Sequence, residues 1–420
     1  MKGVTSQSGR RVIVIGGGPA GLMAAVAAAG AGARVTVLER QAMPGRKLTA
    51  TGGGRCNITN SLDPETFMLR FGPQGRFMNP ALTLFSRDRL LAQMQSWGVP
   101  CHAADGFHYF PDSQRALDVL HALREQLRAR QVELRLNACA DSLDLADGAI
   151  RGVRVNGATL PADAVIVAAG GAAWPSLGGC SRGYDLARQA GHTIVEPTPA
   201  LTGLATRETW PASCAGVTLP EATAWIETDR RKTIWRGTLL FTHTGLSGPL
   251  ILDLSGTVAA LLRKGAPVPL RLRALPDVAA AEWKTRFQQW RTDQGKKSLR
   301  NCLDASLPHS LALAACACCG IEPELRAAGL TAETRDRLAD WLAAMPVTLA
   351  DPPGFGQAMV THGGVTLKEV QPKTLESRLV KGLFWAGEVL DLDGPCGGYN
   401  LQWAFSSGWL AGESAAGARS

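Results

Sequence analysis

The segment 11-RVIVIGGGPAGLMAAVAAAGAGARVTVLER-40 decides the fold of this chain. Five strand-forming residues run into the glycine turn 16-GGGPAG-21, a helix of small residues follows, and a second strand ends at Glu39. Gly16 permits the tight turn, Gly18 lets the backbone approach a pyrophosphate, and Gly21 lets helix and strand pack closely. The helix start attracts phosphate, and Glu39 stands where a carboxylate accepts hydrogen bonds from a ribose. The segment therefore predicts a dinucleotide-binding βαβ unit rather than a glycine turn of purely structural use.

Composition places the chain among multidomain globular proteins. With 420 residues it is too long for one core, so two or three domains are expected. No apolar run is long enough to cross a bilayer, and the polar first ten residues do not resemble a signal peptide. We therefore expect a cytoplasmic protein without a membrane partner, whose ten cysteines are free thiols. The cluster 316-CACC-319 lacks the spacing of a zinc site, and no metal site is predicted.

The formal charge of +8 is concentrated in one region of the chain. Residues 263–300 contain ten Lys and Arg against three acids, a net charge of +7. A concentrated basic surface suits a polyanion, and ribosomal RNA is the candidate partner for this region. A solvated helical face in an arginine-rich protein is the alternative interpretation.

A second glycine-rich stretch, 44-PGRKLTATGGGRCNITN-60, follows the βαβ unit directly. Its three consecutive glycines permit positive φ angles and close backbone approach. Arg46, Lys47 and Arg55 supply positive charge for a phosphate. We expect this loop to line the same ligand; a flexible surface loop is the alternative.

The C-terminal segment is expected to return to that ligand. The strand 383-LFWA-386 stops at Gly387-Glu388, and 397-GGYN-400 opens a helix of small and apolar residues. A carboxylate at the strand end suits the ribityl hydroxyls of FAD. A helix that starts at Gly398 suits the flavin edge, where negative charge grows on reduction. Cofactor-binding patterns at both chain ends are typical of an FAD enzyme; a strand and helix that merely complete the sheet are the alternative.

The whole chain resembles the BaiN/RdsA family of FAD-dependent oxidoreductases, whose members are also called YhiN-like flavoproteins or the aminoacetone oxidase family. The resemblance is carried by 12-VIVIGGGPAGLMAA-25, 45-GRKLTATGGGRCNITN-60, 107-FHYFPDS-113, 240-LFTHTGLSGP-249, 362-HGGV-365 and 385-WAGEVLDLDGPCGGYNLQWAFSSG-408. The second and last of these segments are far more specific than the glycine fingerprint.

The resemblance implies an α/β fold with three domains. A split, Rossmann-type FAD-binding domain resembling glutathione reductase is expected at 1–192 and 354–420, with a β-barrel-like insertion at 193–275 and 346–353 and a helical domain at 276–345. The residue pattern agrees, because short β patterns with Pro and Gly fill the insertion and aromatic residues recur at helical spacing after residue 276.

The resemblance also implies contacts with FAD. The residues expected to bind FAD are Gly16, Gly18, Pro19, Ala20, Gly21, Glu39, Arg40, Lys47, Gly52, Gly53, Gly54, Arg55, Cys56, Asn57, Gly170, Gly387, Glu388, Asp391, Gly398, Tyr399, Asn400 and Leu401. No second glycine fingerprint follows another strand in the sequence, so NAD(P)H is expected to bind transiently over the flavin as the electron donor. An electron source other than NAD(P)H is the alternative.

Members of the family that this chain resembles have been assigned different activities, namely aminoacetone oxidase, bile-acid reductase and ribosomal RNA dihydrouridine synthase. We expect a reductase that adds hydride to an activated C=C bond, with uracil in ribosomal RNA as the candidate substrate. An FAD-dependent oxidase of small amines such as aminoacetone is one alternative, and a flavin-binding redox or RNA-interaction protein without turnover is another. The candidates for proton transfer are His243, His362, Cys396 and Tyr399.

Overall fold

The computed structural model describes residues 9–228, 231–350 and 354–418. The rest of the predicted domain ranges, namely residues 1–8, 229–230, 351–353 and 419–420, lie outside the described residues. No helix in the described ranges combines the length and the apolar character that a membrane span requires.

The described residues form strands and helices in the following order. The strands are β1 (Arg11–Ile15), β2 (Arg34–Leu38), β3 (Thr59–Asn60), β4 (Cys101–His102), β5 (His108–Pro111), β6 (Glu133–Arg135), β7 (Ala140–Ala146), β8 (Ala149–Val155), β9 (Ala158–Pro161), β10 (Ala164–Val167), β11 (Ile194–Ala200), β12 (Leu204–Ala205), β13 (Thr218–Thr228), β14 (Arg231–Thr242), β15 (Gly245–Ser247), β16 (Val268–Arg273), β17 (Met345–Leu349), β18 (Val360–Val365) and β19 (Leu383–Trp385). The α-helices are α1 (Pro19–Gly30), α2 (Arg46–Ala50), α3 (Pro64–Leu69), α4 (Asn79–Leu84), α5 (Arg87–Ser96), α6 (Ala116–Ala129), α7 (Arg182–Gln189), α8 (Trp210–Ser213), α9 (Pro249–Leu262), α10 (Ala280–Asp293), α11 (Leu299–Leu303), α12 (His309–Cys318), α13 (Ala332–Ala343) and α14 (Tyr399–Ala415).

The chain divides into two compact units, and the first contains both chain ends. It comprises Met1–Pro199 and Met359–Ser420, and the second comprises Ala200–Ala358. The first unit is built on a parallel sheet with strand order β19-β10-β1-β2-β6. The central strands β1 and β10 are apolar and almost wholly buried, as expected for a parallel sheet covered on both faces. The carboxyl ends of these strands meet at one edge, where ligands of such sheets bind.

Close packing of α14 on α1 joins the two chain ends. A Cβ atom on Gly408 would collide with the backbone oxygen of Ala20, and one on Gly412 would collide with that of Ala24. The two glycines are four residues apart, so they lie on the same face of α14. Glycine at these positions therefore allows the helix backbones to approach each other.

Gly408→Ala is expected to destabilise the protein by about 1–3 kcal/mol, because the added methyl group forces α14 away from α1. The matched control is Gly30→Ala in α1, where the new Cβ would meet only Arg130 Nε at 3.8 Å. That control should be neutral or stabilising, since alanine is the better helix former. Calorimetric unfolding of the full chain checks both variants, and equal melting temperatures for Gly408→Ala and wild type would contradict the packing argument.

The second unit is organised around a barrel. Its strand order is β12-β15-β14-β13-β16-β17 with antiparallel neighbours, and a bridge between Thr206 and Leu349 joins the two edge strands. The predicted β-barrel-like insertion is therefore confirmed. Barrel residues such as Leu270 share one buried core with helical residues such as Trp283 and Phe287. The division of this unit into separate β-rich and helical domains stays a prediction.

Candidate cofactor site

The glycine turn after β1 shapes one wall of a cleft. Gly16 has a φ of +108°, and a Cβ there would collide with the backbone oxygen of Ala168. A Cβ on Gly21 would collide with the oxygen of Gly16. A Cβ on Gly18 would meet no atom within 4 Å. Gly16 and Gly21 therefore serve packing, whereas Gly18 leaves open space above the turn.

The start of α1 lies beside that open space. Gly18 precedes the helix, Pro19 is its first residue, and no side chain caps it. The N–H groups of the first helical turn have no partner inside a helix, and the helix dipole adds positive potential there. This combination fits a pyrophosphate.

Glu39 follows β2 on the adjacent side of the cleft. Its Oε2 accepts a hydrogen bond from the Gly17 N–H at 2.7 Å, and its Oε1 accepts one from the Gln41 N–H at 2.7 Å. The carboxylate therefore joins the glycine turn to the end of β2. The neighbouring Arg40 donates through Nη2 to the oxygen of Gly178 at 3.2 Å.

The cleft runs along the carboxyl edge of the sheet and has an empty volume of about 1310 Å³, which includes solvent at its mouth. The carboxyl edge of such a parallel sheet is where dinucleotides bind. The predicted residues that line it are Gly16, Gly18, Pro19, Ala20, Glu39, Arg40, Lys47, Gly170, Glu388, Asn400 and Leu401. Of these, Gly170 resembles Gly18, because a Cβ there would also meet open space. The lining thus brings residues from both ends of the chain to one cleft.

Lys47 and Glu388 form an ion pair inside this cleft, although 341 residues separate them in the chain. Lys47 Nζ lies 2.8 Å from Glu388 Oε2, and Glu388 Oε1 accepts a hydrogen bond from the Thr361 N–H at 2.9 Å. Gly387, just before this acid, donates its N–H to Ser407 Oγ of α14 at 2.9 Å. These bonds bring the second glycine loop and the end of β19 together at one wall of the site.

The segment 52–57, for which contacts with FAD were expected, follows α2. Of the described residues that line the cleft, none comes from this segment. Gly52, Gly53 and Gly54 are exposed with positive φ, and the Arg55 guanidinium lies 4.6 Å from the centre of the Phe110 ring. A direct FAD contact of these residues therefore stays a prediction.

Cys56 and Asn57 face the protein interior. Cys56 is fully buried, and burial raises the pKa of its thiol to about 12, so it is protonated at neutral pH. With its amide oxygen turned toward α14, Asn57 accepts a hydrogen bond from the Gly398 N–H at 3.1 Å. Asn57 thus secures the start of α14.

The remaining predicted cofactor residues pack behind the lining. Asp391 is buried and accepts a hydrogen bond from Gln74 Nε2 at 3.0 Å. Gly398 is left-handed with a φ of +83°, and Tyr399 is buried with its ring centre 5.0 Å from that of Phe67. These residues shape the loop before α14, and their direct contact with FAD stays a prediction.

The candidates for proton transfer differ in their surroundings. His362 lies on β18, and its Nδ1 is 2.7 Å from Asp393 Oδ1. Cys396 is exposed in the loop before α14, and the third candidate in this unit, Tyr399, is buried. His243 lies in the second unit, exposed in the turn between β14 and β15. Asp393 was not predicted, although it lies within the specific segment 385–408.

Comparisons with known proteins agree with this geometry. The model of the HI0933-like protein Rossmann domain matches residues 10–414. The 3-dehydro-bile acid delta(4,6)-reductase of Clostridium scindens is 34% identical over 97% of this chain and 99% of its own length. The ribosomal RNA dihydrouridine synthase of Escherichia coli is 31% identical over 97% of this chain and 98% of its own.

Solved structures support the fold alone. A 3-ketosteroid-delta4-(5alpha)-dehydrogenase from Rhodococcus jostii RHA1 aligns with a TM-score of 0.52 at 18% identity, covering 98% of each chain. The open form of a flavocytochrome c3 fumarate reductase aligns with a TM-score of 0.52 at 17% identity, covering 98% of this chain and 79% of its own. The predicted Rossmann-type FAD-binding fold is therefore confirmed, and the chain belongs to the HI0933-like family.

Proposed function

We propose that this FAD-dependent oxidoreductase reduces a C=C bond conjugated to a carbonyl group, with uracil in ribosomal RNA as its substrate. The observation that carries the proposal is the full-length similarity to two enzymes named for different reductions. A 3-dehydro bile acid with 4,6 unsaturation carries a ketone conjugated to C=C bonds. Uracil carries C5=C6 conjugated to the C4 carbonyl. The shared feature of the two substrates is the conjugated C=C–C=O group.

We assign a role in FAD binding to each part of the cleft lining. The first turn of α1 with Gly18 would hold the pyrophosphate, Glu39 a ribose, and Lys47 and Glu388 the ribityl chain. Gly398 to Leu401 would hold the flavin end. FAD, when bound, supplies the hydride, which goes to the carbon β to the carbonyl, C6 in uracil.

His362 is our proposed source of the proton that completes the reduction. The α-carbon, C5 in uracil, takes this proton, so the double bond becomes a single bond and the substrate gains two electrons and two hydrogens. Asp393 holds Nδ1 of His362 and orients the ring, a pairing common for acid–base histidines. NAD(P)H is the proposed two-electron donor that restores the reduced cofactor.

The charges of the second unit support an RNA substrate only in part. Within 263–300, three cations form ion pairs with carboxylates, namely Lys284 with Asp336, Arg286 with Glu282 and Arg300 with Glu324. These pairs reduce the positive charge that the region offers to a polyanion.

A cationic stripe on the outside of the barrel is a second candidate for RNA contact, although Lys232 and Arg236 in it form ion pairs with Glu227 and Asp277. Lys232 and Arg236 alternate with Ile234 on one face of β14. Ile234 and Arg271 both pair with Trp225 of β13, so Arg271 shares that face. Lys232, Ile234, Arg236 and Arg271 are all exposed. We propose that this stripe contacts RNA phosphates, which would place the protein in the cytoplasm.

Deleting the gene is expected to remove dihydrouridine from one position of ribosomal RNA, and the wild-type gene should restore it. Reverse-transcription or mass-spectrometric mapping of dihydrouridine measures the change. An unchanged map would contradict the RNA substrate. Purified protein assayed with a 3-oxo-4,6-diene steroid then distinguishes a different conjugated substrate from a failure of the reductase proposal. Peroxide release from aminoacetone would support the oxidase instead.

A further inference from the structure

His108 and Asp105 form another histidine–carboxylate pair in the first unit. His108 Nδ1 lies 2.6 Å from Asp105 Oδ2, and Asp105 Oδ1 accepts hydrogen bonds from the N–H groups of Phe107 and His108 at 2.9 and 2.7 Å. The hydrogen bond from the His108 ring lowers the pKa of the Asp105 carboxyl well below its ordinary value. Asp105 is therefore ionised at neutral pH and orients the imidazole through Nδ1.

The other ring nitrogen of His108 faces the loop before α14. His108 Nε2 lies 3.4 Å from the position that a Cβ on Gly397 would occupy. The loop is fixed at this point, because Asn60 Nδ2 donates to the oxygen of Gly397 at 2.8 Å. Asn400 and Leu401, which lie two and three residues after Gly398, line the cofactor cleft. His108 thus stands next to the segment that we assign to the flavin end.

The other end of the same loop contains Asp393, which pairs with His362. Asp393, which holds His362, precedes Gly397 by four residues, a separation of at most about 14 Å. Asn400 closes this segment by accepting from the Gly394 N–H at 2.8 Å and donating to the Gly394 oxygen at 2.9 Å. Both pairs therefore contact one short, hydrogen-bonded loop, with His362 and Asp393 at its start and His108 beside Gly397.

A conjugated carbonyl needs help at two atoms during reduction. Negative charge grows on the carbonyl oxygen as hydride reaches the β-carbon, and the α-carbon then needs a proton. We propose that His108 donates a hydrogen bond from Nε2 to the carbonyl oxygen, O4 in uracil, while His362 protonates the α-carbon. This assignment rests on the proposed function. It gives stabilisation of the carbonyl oxygen to His108 and protonation of the α-carbon to His362.

The test uses 4-chlorophenol, whose phenolate oxygen mimics the charged oxygen of the transition state. Its binding to the FAD-loaded full chain is followed by long-wavelength absorbance, without turnover. His108→Gln is expected to weaken phenol binding at least about tenfold and to lower kcat about 10²-fold, as for loss of one oxyanion donor. His362→Gln should lower kcat yet bind phenol like the wild type. Unchanged flavin absorbance in both variants shows that the cofactor site is intact.

His102→Gln is the matched control, because His102 forms an equally short pair with Asp112, 2.6 Å, on the neighbouring strand β4. It should leave phenol binding and kcat unchanged. Wild-type phenol affinity in His108→Gln, or no phenol binding by the wild type, would overturn the assignment. If phenol binding depends on His108 but the wild type reduces neither ribosomal RNA nor the dienone, the proposed function fails while the oxyanion site stands.

Discussion

Gly18→Val yields a folded protein that binds FAD at least about 100-fold more weakly than the wild type, a loss of roughly 2.7 kcal/mol. Gly18 has φ −80° and ψ −178°, extended angles that valine adopts without strain, and its Cβ would meet open space. The new side chain would occupy the space that a pyrophosphate needs beside the first turn of α1. Titration of the apoprotein with FAD, followed by flavin fluorescence, measures the dissociation constant.

Gly21→Val is the control that distinguishes a loss of cofactor binding from a loss of the fold. Its Cβ would collide with the oxygen of Gly16, so this variant should unfold at lower temperature or fail to accumulate. Gly18→Val should keep the melting temperature of the wild-type apoprotein. A yellow Gly18→Val protein with wild-type FAD affinity would show that the pyrophosphate does not lie at this turn.

His362→Gln is expected to lower kcat for reduction of the C=C bond by about 10²–10⁴-fold, the usual contribution of a general acid. FAD content and the rate of reduction by the electron donor should not change, because the side chain is not among the residues that line the cleft. Single-turnover kinetics with the pre-reduced protein isolate the step in which substrate is consumed. Asp393→Asn should lose part of the same rate, since it removes the charge that orients the ring.

Three further variants test the competing candidates for the proton donor. Cys396→Ser, Tyr399→Phe and His243→Gln should each retain kcat within a few-fold of the wild type. If Cys396→Ser abolishes substrate reduction while His362→Gln does not, the proton comes from the loop before α14 instead. The Tyr399 change also reports on packing, because its ring lies against Phe67 in the core.

The β1–α1–β2 unit was predictable because its signals are local. The apolar run before Gly16, the small-residue helix and the acid after the second strand lie within 30 consecutive residues. The convergence of Gly170 and Glu388 on the same cleft also followed from the rule that ligands bind at the carboxyl edge of such sheets. The strand order β19-β10-β1-β2-β6 was not predictable, because it joins segments from both ends of the chain.

The side-chain contacts within the site could not be predicted for the same reason. Nothing local indicates that Lys47 meets Glu388 or that Asp393 meets His362. The glycine loop shows the limit of composition as evidence: its glycines and Arg55 have the chemistry of a phosphate site, yet Arg55 lies over Phe110 and Asn57 bonds to the start of α14. The contacts of Arg55 and Asn57 depend on residues distant in the chain, so composition alone could not predict them.

The central claim is that the reduced protein transfers its electrons to a conjugated C=C bond. The most direct measurement is anaerobic mixing of photoreduced holoprotein with ribosomal RNA lacking dihydrouridine, with absorbance and product followed together. We expect the oxidised flavin spectrum to return with one dihydrouridine formed per FAD. A spectrum that stays reduced with the RNA and with a 3-oxo-4,6-diene steroid, but returns at once with oxygen, would contradict the account.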